Sequence, residues 1–266
     1  MADLATYFTP DGNTYAAQGI VLYKFDASKS AAFLQEMLVP LREVFLSEEK
    51  IARNMEKYNR SRQQVISDHV PEDPTIMSGD FGEALTYYIA KRFFAHKANV
   101  TPMKLRFKGD PNRPMPHTDI VFFYIDDMDT PSANDIIYTI EVKSRKKRPS
   151  RDEKKNTILS AIAGAELDKS SRLMKTIRYF VKKIQDEQEP EQLFKEVERF
   201  KDVYFFDKST KIHSAVAVVE ETFIQQHIET ITEKLPETHP DIHVYCVPIA
   251  QLELMYKSFY AQMPNT

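Results

Sequence analysis

The sequence predicts a mixed α/β protein, and three observations support this class. The chain has 266 residues, of which 42% are hydrophobic and 11% aromatic, enough for a sizeable buried core. Short β-type runs alternate with segments whose apolar residues recur at helical spacing. The central part has the order helix, three strands, helix and strand, which is typical of a sheet flanked by helices.

The start of the chain predicts a largely helical N-terminal lobe. TYAAQGIVLYKF at 14–25 predicts one strand, and a helix is expected over about 30–46, with helical structure also in the charged stretch that follows. The broad apolar face of the 30–46 helix is a candidate surface for a partner. Residues 67–80 contain two prolines and little pattern, so we place a boundary near residue 75, with a second domain over 76–266.

The second domain alternates predicted helices and strands. Helices are expected at 79–97, over about 156–184, and near 222–234 and 249–260. Strands are expected at VTPMKLRF (100–107), TDIVFFYI (118–125), IIYTIEV (136–142), VYFFD (203–207), SAVAVVE (214–220) and DIHVYCVPI (241–249).

Two carboxylates are predicted to meet on a β-hairpin. TDIVFFYI and IIYTIEV are joined by a turn-rich stretch, so antiparallel pairing is the simplest connection. A hairpin centred near Thr130 pairs residues whose numbers add up to 260, which sets Asp119 opposite Glu141. Opposed Cβ atoms lie about 4.5–5.5 Å apart, which is costly for two carboxylates unless a cation such as Mg²⁺ or Mn²⁺ lies between them. In another register the two carboxylates do not meet.

Lys143 follows Glu141 by two residues, so a strand presents both side chains on one face while Ile140 and Val142 face the other way. An ammonium beside a divalent metal can help to orient and deprotonate a water molecule, or offset charge on a phosphate under attack. Glu-x-Lys also occurs in stretches without a strand pattern. The copy on the strand therefore predicts a hydrolytic metal site.

A basic segment follows this strand. The net charge of the chain is −3, but residues 143–155 carry eight basic and two acidic side chains, a local +6 that leaves −9 for the rest. A basic patch on an acidic body indicates a localised contact with a polyanion, although a solvated loop would have the same composition. The residues expected to contact this polyanion are Arg145, Lys146, Lys147, Arg148 and Arg151.

The identity and order of four residues resemble the motif of the PD-(D/E)XK nuclease superfamily. They are Glu83 in GEALTYYIA, Asp119 in HTDIVFF, and Glu141 and Lys143 in EVK. The resemblance covers about residues 79–185, and its motif is loose in spacing. It implies a restriction-endonuclease-like core in which Asp119 and Glu141 bind Mg²⁺ or Mn²⁺ and Lys143 is catalytic. It also implies that Glu83 supports the metal or the water.

Three alternatives remain open for this site. With Asp80 as an N-cap, Glu83 would stand at the third helical position and serve as a capping residue. A nuclease fold retained only to bind DNA or a partner would leave the carboxylates idle, although intact Asp119, Glu141 and Lys143 argue against it. An ordinary restriction endonuclease would share the same motif.

Within the superfamily, the long N-terminal lobe and the stretch from SGDFGEALTYYIAKRF to YTIEVKSR are most similar to the HamA family, the nuclease subunits of bacterial Hachiman anti-phage defence systems. The resemblance implies DNA as substrate and a superfamily 2 helicase subunit, HamB-like, as the partner that restrains cleavage. The sequence has no Walker A motif of its own.

The sequence also predicts the compartment. Cys246 is the single cysteine, so no disulfide can form within the chain. The N-terminus lacks the pattern of a signal peptide, and the apolar runs are too short to span a bilayer. We therefore expect a cytoplasmic protein with no membrane contact.

Overall fold

The structure, a computed structural model, describes residues 3–130, 132–149, 156–187, 189–231 and 234–266. Its strands are β1 (Phe8–Tyr15), β2 (Ile20–Phe25), β3 (Ile120–Tyr124), β4 (Ile136–Arg145), β5 (Thr210–Glu220) and β6 (Ile242–Ile249). Its helices are α1 (Ser30–Phe45), α2 (Glu48–Tyr58), α3 (Arg62–Ser67), α4 (Pro74–Ile89), α5 (Thr157–Leu167), α6 (Leu173–Asp186), α7 (Glu191–Glu198), α8 (Val203–Lys208), α9 (Ile224–Glu229), α10 (Leu235–Thr238) and α11 (Leu252–Gln262).

The strands form one six-stranded mixed sheet in the order β1-β2-β6-β5-β4-β3. The central neighbours β2, β6, β5 and β4 pair in parallel, and the two outer pairs, β1 with β2 and β3 with β4, are antiparallel hairpins. Strand β3 is therefore an edge strand, and the hairpin that carries the predicted motif forms one end of the sheet. The mixed α/β class is confirmed.

Helices cover both faces of the sheet, as alternation along β5 shows. Val216 and Val218 pack into the core shared with α1, α4 and α11. Ala215, Ala217 and Val219 point to the opposite face and pack against α5. Further along that second face, α6 and α7 cover β3 and the start of β4. Both faces of β5 are apolar because both are buried.

The N-terminal region differs from the prediction in two respects. The single strand expected at 14–25 is two strands, because Ala16–Gln18 form a 3₁₀ turn and Gly19 adopts a left-handed conformation at φ 69°. The hairpin joins the central sheet through β2, which pairs with β6. The apolar face of α1 is buried in the core by Phe33, Met37, Leu41, Val44 and Phe45. The expectation that this face binds a partner is therefore wrong.

Two predicted strands are not strands in the structure. At 100–107 only Val100 makes a β-bridge, with Phe123, and Lys104–Phe107 form a 3₁₀ turn. The VYFFD stretch is helix α8, because Asp202 caps it by accepting a hydrogen bond from the Tyr204 N–H at 2.8 Å. In both places local contacts override β propensity.

Most of the remaining elements agree with the sequence to within a few residues, but α7 is not predicted and α4 begins five residues earlier than expected. Helix α1 and strands β3, β4, β5 and β6 lie where expected. The long helical region after residue 156 is α5 and α6 joined by a π-helical turn, Asp168–Arg172. Within the described ranges, no helix is long and apolar enough to cross a membrane.

Candidate active site

The β3–β4 hairpin has the predicted register. Ile120 pairs with Ile140 and Val121 with Thr139, so paired residue numbers add up to 260. Asp119 directly precedes β3, and its Oδ2 accepts a hydrogen bond from the Val142 N–H at 2.9 Å. This bond holds the Asp119 carboxylate at the edge of β4, next to Glu141.

Strand β4 separates its side chains as predicted. Ile140 and Val142 lie in the core beneath α4, and Glu141 and Lys143 lie on the other face. Glu141 is buried, whereas the Lys143 side chain is 41% exposed. The Lys143 Nζ donates to the Glu141 Oε1 at 2.5 Å. The strand therefore delivers a carboxylate and an ammonium together.

A second lysine lies in what we call the closed half of the site, formed by Glu83, Lys104 and Asp119. The Lys104 side chain is 1% exposed, and its Nζ lies 3.1 Å from the Asp119 Oδ1 and 3.5 Å from the Glu83 Oε2. The adjoining cavity measures only about 10 Å³. Burial by itself lowers the pKa of Lys104, but the charges of Glu83 and Asp119 outweigh it and raise this pKa. Lys104 is therefore a charged, buried bridge between two predicted site residues.

Helix α4 places Glu83 differently from the capping alternative. The helix begins at Pro74 and is capped by Asp73, whose side chain accepts from the backbone N–H groups of Thr75 and Ile76. Asp80 is buried within the helix and pairs with Lys108. The capping role for Asp80 and Glu83 is therefore wrong, because the helix starts six residues before Asp80.

The open half of the site consists of Glu141, Lys143 and Arg172. The Arg172 Nη2 donates to the Glu141 Oε2 at 2.5 Å, so the two oxygens of Glu141 each face a cation. These three side chains and one face of α5 line a cavity of about 690 Å³. Gly164 of α5 permits this packing, because a Cβ at that position would lie 2.4 Å from the Glu141 side chain.

The carboxylates influence each other electrostatically. Burial and the charge of Asp119 raise the pKa of Glu83 to about 8. Burial and the charge of Asp119 also raise the pKa of Glu141 to about 7, although Lys143 and Arg172 oppose this shift. Asp119 disfavours the ionised forms of Glu83 and Glu141, and in such a setting added positive charge is stabilising.

The donor set suits a hard divalent cation. Carboxylate oxygens are preferred by Mg²⁺ and Mn²⁺, and the Glu83 Oε2 is buried with no hydrogen bond from the described part of the chain. Among the described residues, however, no three His, Cys, Asp or Glu side chains are grouped so that they alone could hold a metal. Lys104 lies between Glu83 and Asp119, so Glu83 is separated from the other two predicted ligands.

The predicted DNA-binding residues lie at the end of β4. Arg145, Lys146 and Lys147 line a second cavity of about 280 Å³ together with the first turns of α4. Lys146 pairs with Glu253 at 2.5 Å, and Arg148 donates to Gln226 at 2.8 Å. Lys147 is exposed. Arg151 lies outside the described residues.

Sequence reasoning missed Lys104 and Arg172. Arg172 follows Asp168 by four residues, a spacing that suggests an ion pair, but its contact with Glu141 spans 31 positions of the chain. Lys104 lies in a segment that is predicted as a strand but forms a 3₁₀ turn, and no sequence signal identifies it as a partner of Glu83 and Asp119.

Comparison with known protein families gives a match over nearly the whole chain. A family model described as HamA matches residues 9–263. No curated protein matches the chain.

Proposed function

The chain belongs to the HamA family of Hachiman anti-phage defence proteins, and from this premise we propose that it is a metal-dependent DNA endonuclease. The observation that carries the proposal is the convergence of Asp119, Glu141 and Lys143 at one end of the β3–β4 hairpin. Hydrolysis of a phosphodiester needs negative charge to be neutralised and a water molecule to be oriented, and these residue types supply both.

Each residue has a distinct role in this proposal. Asp119 and Glu141 would hold Mg²⁺ or Mn²⁺, which when bound polarises the phosphoryl oxygen and lowers the pKa of water. Lys143 is exposed enough to reach a substrate, and its ammonium orients the attacking water or offsets charge on the phosphate. Glu83 would help to hold Asp119 in position, because Lys104 pairs with both carboxylates.

The basic segment would hold the DNA backbone beside this centre. Arg145, Lys146 and Lys147 lie at the end of the strand that carries Glu141 and Lys143. Phosphate contacts of this kind fix the position of a duplex without reading its sequence. The proposal is therefore a nuclease with little sequence preference.

Such an activity requires restraint in a living cell. We propose that a superfamily 2 helicase subunit suppresses cleavage until it engages DNA and ATP. The chain has no Walker A motif, so ATP-dependent control comes from a partner in this scheme. Co-purification with the product of the neighbouring gene, and nuclease assays with and without ATP, test this part of the proposal.

A non-catalytic binding module is the second candidate, and two observations favour it. Lys104 already pairs with both Asp119 and Glu83, and the described residues contain no group of three ligands. If the site bound only DNA or a helicase, its charges could persist in this arrangement without metal chemistry.

Cleavage of supercoiled plasmid distinguishes the two candidates. We expect nicked or linear products with Mg²⁺ or Mn²⁺, none with EDTA, and none with Glu141→Ala, which should also weaken metal binding. The wild-type chain should be assayed alone and with its co-purified partner. Intact plasmid in every one of these conditions would favour the non-catalytic module.

A further inference from the structure

The open cavity is larger than a phosphate needs, and one of its walls is apolar. At about 690 Å³ it falls within the range of about 300–1,000 Å³ that is usual for small-molecule sites. Leu159, Ala163 and Leu167 recur every four residues on α5 and line the cavity from one side. The Leu167 side chain is 53% exposed. An exposed apolar stripe this close to charged residues suits a ligand with both an apolar and an anionic part.

Arg172 lies at the charged side of the cavity, and one of its nitrogen atoms is not used in hydrogen bonds to the described part of the chain. Its Nε donates to the Asp168 Oδ1 at 2.6 Å, and its Nη2 donates to Glu141 and to the Gly164 carbonyl oxygen. Its Nη1 makes no hydrogen bond to any residue in the described ranges. A guanidinium with one free edge can bind a phosphate oxygen while it stays anchored.

The anchor of Arg172 is rigid. Asp168 is buried and also accepts a hydrogen bond from the Thr118 hydroxyl at 2.7 Å. Asp168 and Arg172 are the two ends of the π-helical turn between α5 and α6, a feature that often marks functional sites. The network links Arg172 to the residue next to Asp119. The guanidinium is therefore fixed relative to both predicted metal ligands.

We propose that this cavity binds a single nucleotide of the DNA strand, with Arg172 and Lys143 on its phosphate and the α5 stripe of Leu159, Ala163 and Leu167 against its sugar and base. The inference rests on the proposed function, because it assigns the cavity to the strand that is cleaved. A base in contact with this stripe cannot be stacked in a duplex. The nuclease would therefore act on a locally unstacked nucleotide, whose base meets apolar side chains instead of its neighbours.

Thymidine 3′,5′-bisphosphate and inorganic phosphate are suitable probes, measured by calorimetry in EDTA so that no cleavage is needed. We expect the bisphosphate to bind at least about tenfold more tightly than phosphate, because only the nucleoside reaches the stripe. Arg172→Met should reduce the affinity for both probes by about tenfold or more. Leu167→Ser should reduce the affinity for the bisphosphate by a few fold and leave the affinity for phosphate unchanged.

Two matched variants serve as controls. Arg178→Met removes an exposed arginine on α6, and Leu254→Ser removes a leucine on α11 that is 59% exposed, close to the value for Leu167. Neither should change the affinity for either probe. Leu167→Ser keeps the experiment decisive if Arg172→Met does not fold, because the Leu167 side chain is 53% exposed and its removal leaves the core intact.

Equal affinity for the two probes, or bisphosphate binding that is insensitive to Leu167→Ser, would overturn the nucleotide site and leave a phosphate contact only. If Leu167→Ser instead weakens binding of the helicase subunit without affecting the bisphosphate, the stripe is a protein interface and the inference is wrong. Plasmid cleavage by the wild-type chain is read separately, so the proposed nuclease can stand if the nucleotide site fails.

Discussion

The closed and open halves of the site both pair a lysine with carboxylates, but the lysine is buried in the closed half and half-exposed in the open half. In the closed half, Lys104 is 1% exposed and bridges Glu83 and Asp119 beside a cavity of about 10 Å³. In the open half, Lys143 is 41% exposed and pairs with Glu141 beside a cavity of about 690 Å³. Both lysines face carboxylates of one electrostatic cluster, yet only one can reach a substrate.

The difference shows how burial assigns roles to identical side chains. A buried ion pair loses several kcal/mol when one partner is removed, because the other charge is left without compensation. Glu141 is buried too, but it keeps Arg172 as a second partner, so removal of the half-exposed Lys143 leaves no uncompensated buried charge and should cost about 1 kcal/mol or less. Lys104 should therefore hold the carboxylates in place, and Lys143 should be free for chemistry. Substitutions in the two halves should affect different measurements.

Lys104→Met should have the largest effect on stability. It leaves Glu83 and Asp119 facing each other without the buried ammonium, which we expect to lower the free energy of unfolding by about 3–5 kcal/mol. Mg²⁺ should raise the melting temperature of this variant more than that of the wild type, because a metal can replace the missing charge. Thermal unfolding with and without Mg²⁺ is the measurement.

Lys182→Met, at an exposed position of α6, is the control and should melt like the wild type. If Lys104→Met were as stable as this control, the closed half would not depend on its buried lysine. If it were destabilised and Mg²⁺ gave it no extra stabilisation, Glu83 and Asp119 would not bind a metal in place of Lys104.

Gly164→Ala should have the next largest effect, and this effect should be on the rate of cleavage. The added Cβ would overlap the Glu141 side chain at 2.4–2.5 Å, so Glu141 must shift away from Lys143 and Arg172. Misplacing a reacting group by about 1 Å can reduce the rate about hundredfold, so we expect a loss of about tenfold to hundredfold in the cleavage rate. Initial rates on plasmid measure it.

Gly79→Ala is a matched control, because no heavy atom lies within 4 Å of a Cβ built there and alanine favours a helix. It should be as active as the wild type and at least as stable. Full activity in Gly164→Ala would show that the position of Glu141 does not limit cleavage.

Substitutions in the basic segment should have the smallest effect. They should change the salt dependence of DNA binding in proportion to the number of phosphate contacts that are lost. Lys147 is exposed, whereas Lys146 pairs with Glu253 and lies 5.9 Å from the centre of the Tyr256 ring. Removing Arg145, Lys146, Lys147 and Arg148 together should flatten the salt dependence of DNA binding by about one unit of log–log slope for each phosphate that the variant no longer binds. Lys147→Ala alone should account for about one unit. An unchanged slope in the quadruple variant would make the segment a solvated loop.

Much of the fold and half of the site could be predicted from the sequence. The hairpin register followed from two apolar runs and the length of the turn between them, so Asp119 and Glu141 were placed correctly beside each other. The aromatic VYFFD run was misread because a single cap, Asp202, determines its helix. Lys104 and Arg172 could not be predicted, because their partners come from separate elements of the fold. Local pattern identified the strand that carries Glu141 and Lys143 but not the other cations around these side chains.

Lys143→Met provides the most direct test of the central claim that the open half is catalytic and the closed half structural. Its DNA affinity in EDTA, its melting temperature and its rate of plasmid cleavage with Mg²⁺ should be measured on the same preparation as the wild type. We expect the DNA affinity to fall by no more than a few fold, because the basic segment supplies other phosphate contacts. We expect a stability change below about 1 kcal/mol, because Glu141 keeps Arg172 as a partner, and a loss of at least about a hundredfold in the cleavage rate. Cleavage by Lys143→Met at the wild-type rate would contradict the account.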